Sequence, residues 1–352
     1  MHRLLIACLR NEAPYILEWL AWHRSIGFDR FLIYTNDCDD RSEEILARLQ
    51  TLGLVAWERN DAAFGDRVQM RALELAMAHP LYAGADWAAH FDLDEFLLVR
   101  IGAGQLDDLF AALPPGANMI SIPWRSFGSG RQVAYAQGPV TDRFRHCAPR
   151  YLRRPWQMAA FKTMHRPLGH WGGIGPHRPF ALRTTPNAIR WVNGDGRPMP
   201  PEYLTQGWTC GPRSFGDSLV QLNHYAVKSA GEFLAKAARG HPKRGGPRPL
   251  YEYFILRDIN FEEDTALLAH AERRDAALAE LMADPVLARL QRAAEEDLAE
   301  RIAALRAAPP FDALFARVAA YRPRGSFTRE EIGGRTVYSF AMPEVPDQDP
   351  VK

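Results

Sequence analysis

The sequence predicts an α/β protein with a parallel sheet in its N-terminal half and helices near its C-terminus. Over the first hundred residues, short apolar segments alternate with segments of helical periodicity, which is typical of parallel strands joined by crossover helices. Region 261–320 is rich in Ala, Leu, Arg and Glu at helical spacing, and prolines at 285, 309 and 310 interrupt it. With 352 residues, 47% of them hydrophobic, the chain can bury a large core.

Most of the predicted N-terminal elements begin or end at a residue suited to that place. Pro14 suits a first helical turn, and Gly27 and Gly53 suit the ends of helices. The predicted strands are 4–9, 28–35, 54–58 and 87–91, and the predicted helices are 14–26, 40–52 and 69–78. Region 114–225 is rich in Pro, Gly, Trp and Arg, and we expect it to hold the remaining strands, partly antiparallel, joined by long loops.

Charge and cysteine content exclude several classes of protein. The 43 basic and 42 acidic residues nearly cancel, whereas a nucleic-acid-binding domain is expected to be strongly basic. The four cysteines form no CxxC pair, so neither a zinc finger nor a disulfide framework is indicated, and free thiols fit a reducing cytoplasm. The apolar run 4–9 is too short for a signal peptide, and no stretch approaches the roughly 18 apolar residues of a membrane span.

An acidic cluster follows the fourth predicted strand. Asp92, Asp94 and Glu95 lie within four positions, flanked by apolar residues. Carboxylates this close repel one another, so they need a counter-charge, which a divalent cation with oxygen ligands supplies. The alternative interpretation is a solvated acidic turn.

Several ordered segments resemble a known enzyme family. The opening Arg10-Asn11-Glu12, the loop Asn36–Ser42 and the segment Asp92-Leu93-Asp94-Glu95-Phe96 resemble family 2-like glycosyltransferases of the GT-A fold, the last in the form of the family 92-like branch. Further similarities to that branch are Phe127-Gly128-Ser129, Lys162, and Asn223-His224-Tyr225 followed by Lys228-Ser229. The resemblance covers about residues 4–240. Cys38 and Ser42 depart from the usual Ser and Thr, which leaves the preferred base open.

The resemblance for residues 1–238, and composition and spacing for the rest, imply a division of the chain. Residues 1–238 would form a GT-A domain with a mixed, Rossmann-like sheet, its nucleotide-binding half at 1–100 and its acceptor and metal half at 101–238. A basic connector or lid at 239–249, a helical extension at 250–340 and a disordered tail at 341–352 would follow. The connector could close over the diphosphate as a lid, and the favoured alternative is a flexible, solvated linker.

The resemblance also implies roles for individual residues. Glu12 and Asn36 match positions that line a base and ribose pocket, and Arg10 supports that pocket or reaches phosphate. The full set expected to bind nucleotide sugar is Arg10, Asn11, Glu12, Asn36, Asp40, Asp92, Lys162 and Lys228. Lysine acts as a compact positive charge for phosphate, although both lysines could also be ordinary surface residues. Lys236 lies in a helical stretch and is expected at the surface.

A metal site is expected at the acidic cluster. The proposed ligands are Asp92, Asp94 and His224, and the proposed ion is Mn²⁺ or Mg²⁺. Imidazole and carboxylate together suit Mn²⁺ better than Mg²⁺. Cleavage of a nucleotide sugar leaves negative charge on a diphosphate, which a bridging cation stabilises. The alternative for His224 is a purely structural histidine.

Inversion at a sugar carbon also needs a base for the acceptor hydroxyl. Asp142 is the preferred candidate, with Asp195, Glu202 and Asp217 as alternatives. The competing interpretation of Asp142 is an ion pair with one of the arginines at 143 and 145.

The sequence thus predicts a metal-dependent glycosyltransferase. It would move a sugar, with inversion, from a nucleotide-diphosphate sugar to a carbohydrate or glycolipid acceptor in cell-surface polysaccharide synthesis. We expect no nucleic-acid partner and a cytoplasmic location that allows peripheral contact with the inner face of the membrane. The rival interpretations are a non-catalytic binding protein of the same fold and a nucleotidyl or pyrophosphate-cleaving transferase.

Overall fold

The computed structural model describes residues 1–61, 67–239, 250–322 and 326–341. The strands are β1 Arg3–Leu9, β2 Arg30–Thr35, β3 Ala56–Arg59, β4 Trp87–His90, β5 Glu95–Val99, β6 Met119–Ser126, β7 His146–Cys147, β8 Leu152–Arg154, β9 Phe161–His165, β10 Trp171–Ile174, β11 Pro179–Leu182, β12 Trp191–Val192, β13 Val220–His224, β14 Glu262–Glu263, β15 Ser326–Ile332 and β16 Arg335–Ala341. The helices are α1 Ile16–Ser25, α2 Ser42–Thr51, α3 Val68–Ala78, α4 Pro80–Ala83, α5 Leu106–Ala112, α6 Val140–Arg143, α7 Ala230–Ala238, α8 Leu250–Arg257, α9 Ala271–Met282, α10 Pro285–Arg306 and α11 Pro309–Ala320.

Nine of the described strands form one mixed sheet in the order β3-β2-β1-β4-β9-β6-β13-β5, with β12 beside β6. Strands β3, β2, β1 and β4 are parallel to their neighbours in this group. Strand β9 runs antiparallel to both β4 and β6, and β5 runs antiparallel to β13. The predicted mixed sheet with a parallel N-terminal half is therefore confirmed.

The parallel half is covered on both faces, which explains its continuous apolar strands. Alternate residues of β1 face opposite sides of the sheet. Leu5 packs with the buried face of α1, whereas Leu4 and Ile6 pack with Leu73 of α3. Leu4 and Leu5 are fully buried and Ile6 is 1% exposed. Since both faces are occupied, polar residues of these strands collect at their carboxyl ends, where parallel α/β sheets bind ligands.

The C-terminal helices are also confirmed, and the prolines begin helices rather than only ending them. Pro285 is the first residue of α10, where a missing N–H is tolerated. Asp284 caps this helix by accepting hydrogen bonds from the backbone N–H groups of Val286 and Leu287, both at 3.0 Å. Pro309 begins α11 in the same way. Helix α9 packs on α1, and α10 packs on α2 and α7.

A C-terminal hairpin was not anticipated. Strands β15 and β16 are antiparallel, and β16 also pairs with β8. The hairpin lies in the segment that the sequence analysis assigned to a helical extension. Its turn is Gly333-Gly334, both with positive φ, and a Gly-Gly pair between two strand-like runs is a hairpin signal. The predicted connector from 240 onward and residues 342–352 lie outside the described residues.

Candidate functional site

Helix α1 fixes the acidic loop between β4 and β5 through two indole groups. The Nε1–H of Trp19 donates to the backbone oxygens of Asp92 and Glu95, both at 3.1 Å. The Nε1–H of Trp22 donates to the backbone oxygen of Leu97 at 2.8 Å. These bonds satisfy buried carbonyls of the loop and of the edge strand β5 that would otherwise lack donors. The backbone that carries the carboxylates is therefore tied to a helix of the core.

We name the group around Asp92 the first cluster, comprising His90, Asp92, Glu95 and Lys162. Because β9 runs antiparallel to β4, Lys162 near the start of β9 lies past the carboxyl end of β4. Its Nζ is 3.1 Å from Asp92 Oδ2, 3.2 Å from Glu95 Oε2 and 3.4 Å from His90 Nδ1. Lys162 is 1% exposed, so the structure does not support the alternative of a surface lysine.

The first cluster contains two carboxyl groups against one ammonium. Burial opposes the charge on Lys162, but the two carboxyl groups outweigh it and raise the pKa of this lysine. Burial also opposes ionisation of Asp92, yet Lys162 outweighs it and lowers the pKa of that carboxyl. Burial raises the pKa of Glu95 well above its usual value. Lys162 thus favours the charged form of Asp92, whereas burial favours the uncharged form of Glu95.

We name the group around Asp94 the second cluster, comprising Asp94, His224 and Lys236. The register of β5 and β13 sets His224 opposite Glu95, and so beside Asp94. Asp94 Oδ1 is 3.6 Å from His224 Nε2, and Asp94 Oδ2 accepts a hydrogen bond from Lys236 Nζ at 2.6 Å. The ring of Trp124 lies 4.2 Å from that of His224, measured between centroids.

Lys236 corrects an expectation of the sequence analysis, which placed it at the surface. Its Nζ also donates to the backbone oxygen of Ala226 at 2.7 Å, and its side chain is 11% exposed. Although burial opposes ionisation of Asp94, Lys236 and then His224 outweigh it and hold the pKa of this carboxyl well below its usual value. Burial lowers the pKa of His224 to about 3. The cluster therefore pairs a carboxylate with a neutral imidazole and an ammonium.

A first cavity of about 300 Å³ lies at the carboxyl ends of β1, β2 and β4. Six of the predicted site residues line it: Arg10, Glu12, Asn36, Asp92, Asp94 and His224. Lys236 and Trp124 line it as well. Lys162 contacts Asp92 from the side away from the cavity, and it affects the cavity through the charge of that carboxylate. The sheet edge therefore brings together most of the residues that the sequence pointed to.

The loops after β1 and β2 are held together by side chains from the predicted site. Arg10 donates to Asp37 Oδ2 at 2.6 Å and to the backbone oxygen of Arg239 at 2.9 Å. The Arg239 guanidinium lies 2.6 Å from Glu12 Oε1. Asn11, with a positive φ of 54°, accepts a hydrogen bond from the Asp39 N–H at 2.8 Å. These contacts shape the cavity wall and leave Glu12 already paired.

Asp40 has a structural task. Its carboxylate accepts hydrogen bonds from the backbone N–H of Ala13 at 3.0 Å and of Ser42 at 2.9 Å. It thereby closes the turns that lead into two helical segments. Asp40 lines a second cavity, described below, and is absent from the lining of the first.

The structure gives no support to Asp142 as a base. Arg274 donates to both of its carboxylate oxygens, at 2.8 and 2.9 Å, and Asp142 is not among the described residues that line the first or second cavity. Its ion-pair partner comes from α9, and not from the neighbouring arginines that the sequence suggested. Asp195, Glu202 and Asp217 each pair with an arginine away from the two clusters.

No helix in the described parts of the chain combines the length and the apolar character needed to cross a bilayer.

Residues 6–169 match the family model described as Glycosyltransferase family 92. Similar curated proteins come from plants. A glycosyltransferase family 92 protein of Oryza sativa subsp. japonica is 30% identical over 142 residues, which are 38% of this chain and 23% of the relative. One of Ricinus communis is 27% identical over 140 residues, which are 37% of this chain and 24% of the relative. The match thus spans about a quarter of the length of these relatives.

Solved structures give a looser likeness. The crystal structure of S. aureus TarS is 11% identical, with a TM-score of 0.35 over 96% of this chain and 58% of that one. A glucosyl-3-phosphoglycerate synthase from Mycobacterium tuberculosis is 13% identical, with a TM-score of 0.29 over 60% of this chain and 73% of that one. These scores are too low to carry an argument about function. The family match and the plant relatives confirm the resemblance seen in the sequence: residues 6–169, just under half of the chain, are similar to glycosyltransferase family 92.

Proposed function

We propose that this protein transfers a sugar from a nucleotide-diphosphate sugar, bound in the first cavity with a divalent cation, to a carbohydrate or glycolipid acceptor. The observation that carries the proposal is the convergence of both clusters on one cavity at the carboxyl ends of the parallel strands. Most of that cavity's polar lining, including Asp92 and Asp94, lies in the segment that matches the family. Inversion at the sugar carbon and a role in cell-surface polysaccharide synthesis remain parts of this proposal.

The polar lining of the first cavity suggests how a donor would lie. Tyr34 and Thr35 at the end of β2, with Asn36 directly after it, form one part of the wall, and Asp94 and His224 form another. The nucleoside would contact the carboxyl end of β2, as in other sheets of this type. The diphosphate would then reach the second cluster. The Lys236 ammonium, already beside Asp94, offers a positive charge to a phosphate oxygen.

The second cluster fits two ligands of a divalent cation. Ligands that each lie about 2.1 Å from a cation are at most about 4.2 Å apart, so the 3.6 Å between Asp94 Oδ1 and His224 Nε2 lies within reach of one ion. The imidazole is neutral, as a ligand must be. Among the described residues, no group of three or more His, Cys, Asp or Glu side chains has the arrangement of a metal site. We therefore propose that substrate phosphates complete the coordination of the cation. Asp92, which the sequence analysis also expected as a metal ligand, is instead paired with Lys162.

When bound, the cation would act as a Lewis acid toward the departing diphosphate. The chain itself contributes the orientation of that group. Asp94 directly precedes β5 and His224 ends the neighbouring strand β13, and α1 anchors the loop between β4 and β5 that carries Asp94. Lys236 donates from α7 on the opposite side of Asp94. Preorganised charge of this kind stabilises a leaving group without reorganisation during the reaction.

The proposal is tested by incubating the protein with a panel of nucleotide sugars, with and without Mn²⁺, and measuring released nucleoside diphosphate. We expect slow, Mn²⁺-dependent release from at least one donor. Asp94→Asn should abolish the release, and Asp312→Asn, at an exposed position on α11, should not. A protein that binds a donor but never releases the diphosphate would be a binding protein, and the proposal would be wrong. Release of pyrophosphate or a sugar phosphate would indicate the rival transferase.

A further inference from the structure

A second cavity of about 380 Å³ adjoins the first. Glu12, Lys236 and Arg239 line both cavities and form the wall between them. The remaining walls come from the loops after β1 and β2, from α7 and from α10. The volume falls in the range of about 300–1,000 Å³ that is usual for small-molecule sites. The sequence analysis assigned no function to this space.

The cations that line the second cavity differ in whether they pair with a carboxylate. Four of them pair with a carboxylate: Arg41 with Asp297, Lys236 with Asp94, Arg239 with Glu12 and Arg301 with Asp39. Lys228, only 4% exposed, makes no ion pair or hydrogen bond with its side chain to any residue that the structure describes. Its Nζ lies 4.2 Å from the centroid of the Tyr15 ring. An aromatic face stabilises an ammonium only in part. The carboxylates of Glu12, Asp94 and Glu232 also attract it, but each of them contacts another cation directly.

The backbone at Lys228 is also unusual. Its φ is +55°, in the left-handed region where a residue with a side chain is disfavoured and glycine is preferred. It immediately precedes Ser229, whose hydroxyl caps α7 by accepting a hydrogen bond from the Glu232 N–H at 3.2 Å. Such strain persists where the surrounding structure enforces it, and it clusters at ligand sites. Two independent features, the unpaired buried cation and its strained backbone, therefore meet at this cavity.

We propose that the second cavity binds an anionic acceptor sugar, whose carboxylate or phosphate is held by the Lys228 ammonium. The inference rests on the proposed transfer reaction, since it places the acceptor beside the donor cavity and across the wall formed by Glu12, Lys236 and Arg239. The sequence analysis grouped Lys228 with the nucleotide-sugar ligands. Its absence from the lining of the first cavity favours the acceptor instead. The anion would supply the partner that Lys228 otherwise lacks.

The test measures binding of three probes, in the absence of donor, by isothermal titration calorimetry. The probes are glucuronate, glucose 6-phosphate and neutral glucose. We expect at least one acidic probe to bind at least about tenfold more tightly than glucose, which is about 1.4 kcal/mol. Binding of glucuronate alone would identify a carboxylate ligand, and binding of glucose 6-phosphate alone would identify a phosphate ester.

Two variants locate the binding. Lys228→Gln should weaken the acidic probe by at least about tenfold and leave glucose unchanged. Lys228→Gly removes the ammonium and also relieves the strain of the positive φ. It is therefore expected to fold, and it replaces Lys228→Gln in the test if that variant is unstable. Arg301→Gln is the matched control, because it removes one charge from the same cavity at a position already paired with Asp39, and it should bind the acidic probe as the wild type does.

Two results would overturn the inference. One is equal binding of acidic and neutral probes, or acidic binding that survives both Lys228 variants. The other is loss of nucleotide-sugar binding in the Lys228 variants with acidic binding intact, which would return Lys228 to the donor site. Failure of the proposed function is distinguishable, because the wild type would then neither bind nor cleave any nucleotide sugar of the panel.

Discussion

The two clusters repeat one composition, each pairing an aspartate with a histidine and a lysine, but they are built differently. In the first cluster, Lys162 belongs to a central strand of the sheet and also faces Glu95. In the second cluster, Lys236 extends from α7 and faces a single carboxylate, Asp94. The first cluster is a part of the core that supports the acidic loop. The second has one partner on a helix outside the sheet, so its lysine can adjust to a ligand while the strands stay fixed.

The largest expected effect follows from removing the lysine of the first cluster. Lys162→Met removes a buried ammonium and leaves the partly buried Asp92 carboxylate, 34% exposed, without its counter-charge. Breaking a fully buried pair usually costs about 3–5 kcal/mol of stability, so we expect a loss of up to that amount, which urea unfolding followed by circular dichroism would measure. As a control, Arg213→Met removes an ion pair whose arginine is 81% exposed and should change stability by less than about 1 kcal/mol. A similar loss in both variants would show that the first cluster is not a structural unit.

The same substitution in the second cluster should affect stability less and metal binding more. Lys236→Met removes a charged hydrogen bond to Asp94, which is worth about 1.5–3 kcal/mol. It also removes the positive charge nearest the proposed cation, so Mn²⁺ should bind more tightly and restore more stability to the variant than to the wild type. Thermal unfolding with and without Mn²⁺ measures both effects, with Lys236→Arg as the charge-preserving control. If Mn²⁺ stabilised neither protein, with or without a nucleoside diphosphate, Asp94 and His224 would not be metal ligands.

The difference between the clusters also explains what the sequence could predict. The family resemblance pointed to Lys162, which lies near the start of β9, past the carboxyl end of the buried strand β4 that leads to the acidic motif. Lys236 stands 142 residues from Asp94 in a stretch that resembles any amphipathic helix, so only the packing of α7 brings them together. The capping residues Ser229 and Glu232 predict where that helix begins, but not which surface it faces.

Other parts of the fold also divide into those that the sequence could predict and those that it could not. The parallel half was predictable because its strands are buried on both faces and therefore read as continuous apolar runs. The pairing of Asp142 with Arg274 was not, since it depends on how α9 packs against α1 and α6. Sequence patterns specify local elements, and contacts between distant elements depend on tertiary packing that single-sequence patterns do not encode.

His23 is a buried histidine outside the two clusters, so it allows the effect of acid on the core to be separated from its effect on the clusters. The Nδ1 of His23 lies 2.9 Å from the Trp19 backbone oxygen, and its Nε2 accepts a hydrogen bond from the Leu97 N–H at 3.4 Å. This arrangement fits a neutral ring, and burial lowers the pKa of His23 to about 3. Between pH 6.5 and 3 the unfolded chain therefore binds a proton that the native chain does not, so stability falls with falling pH.

This contribution should reach about 2 kcal/mol at pH 5, since that pH lies about 1.5 units below the unfolded value. Urea unfolding at pH 7 and pH 5 measures it. His23→Gln should lose less stability than the wild type over this interval, by up to that amount. Parallel pH dependence in both proteins would mean that the acid sensitivity arises elsewhere, in the two clusters included.

The smallest effect at mildly acidic pH is expected for Glu95→Gln, and it tests how many negative charges the first cluster holds. Burial raises the pKa of Glu95 well above its usual value, so the native side chain keeps a proton that the unfolded chain releases above about pH 4.3. The wild type should therefore lose stability as the pH rises through that window, whereas the variant, which resembles the protonated acid, should not. At pH 5 the two should differ by less than about 1 kcal/mol, and each further pH unit should add up to about 1.4 kcal/mol in favour of the variant. Urea unfolding between pH 5 and pH 8 measures this difference.

A loss of several kcal/mol at pH 5, with parallel slopes above it, would mean that Glu95 is ionised and that Lys162 neutralises two carboxylates. The first cluster would then carry a net negative charge, and it, rather than the second, would be the stronger attractor for a cation.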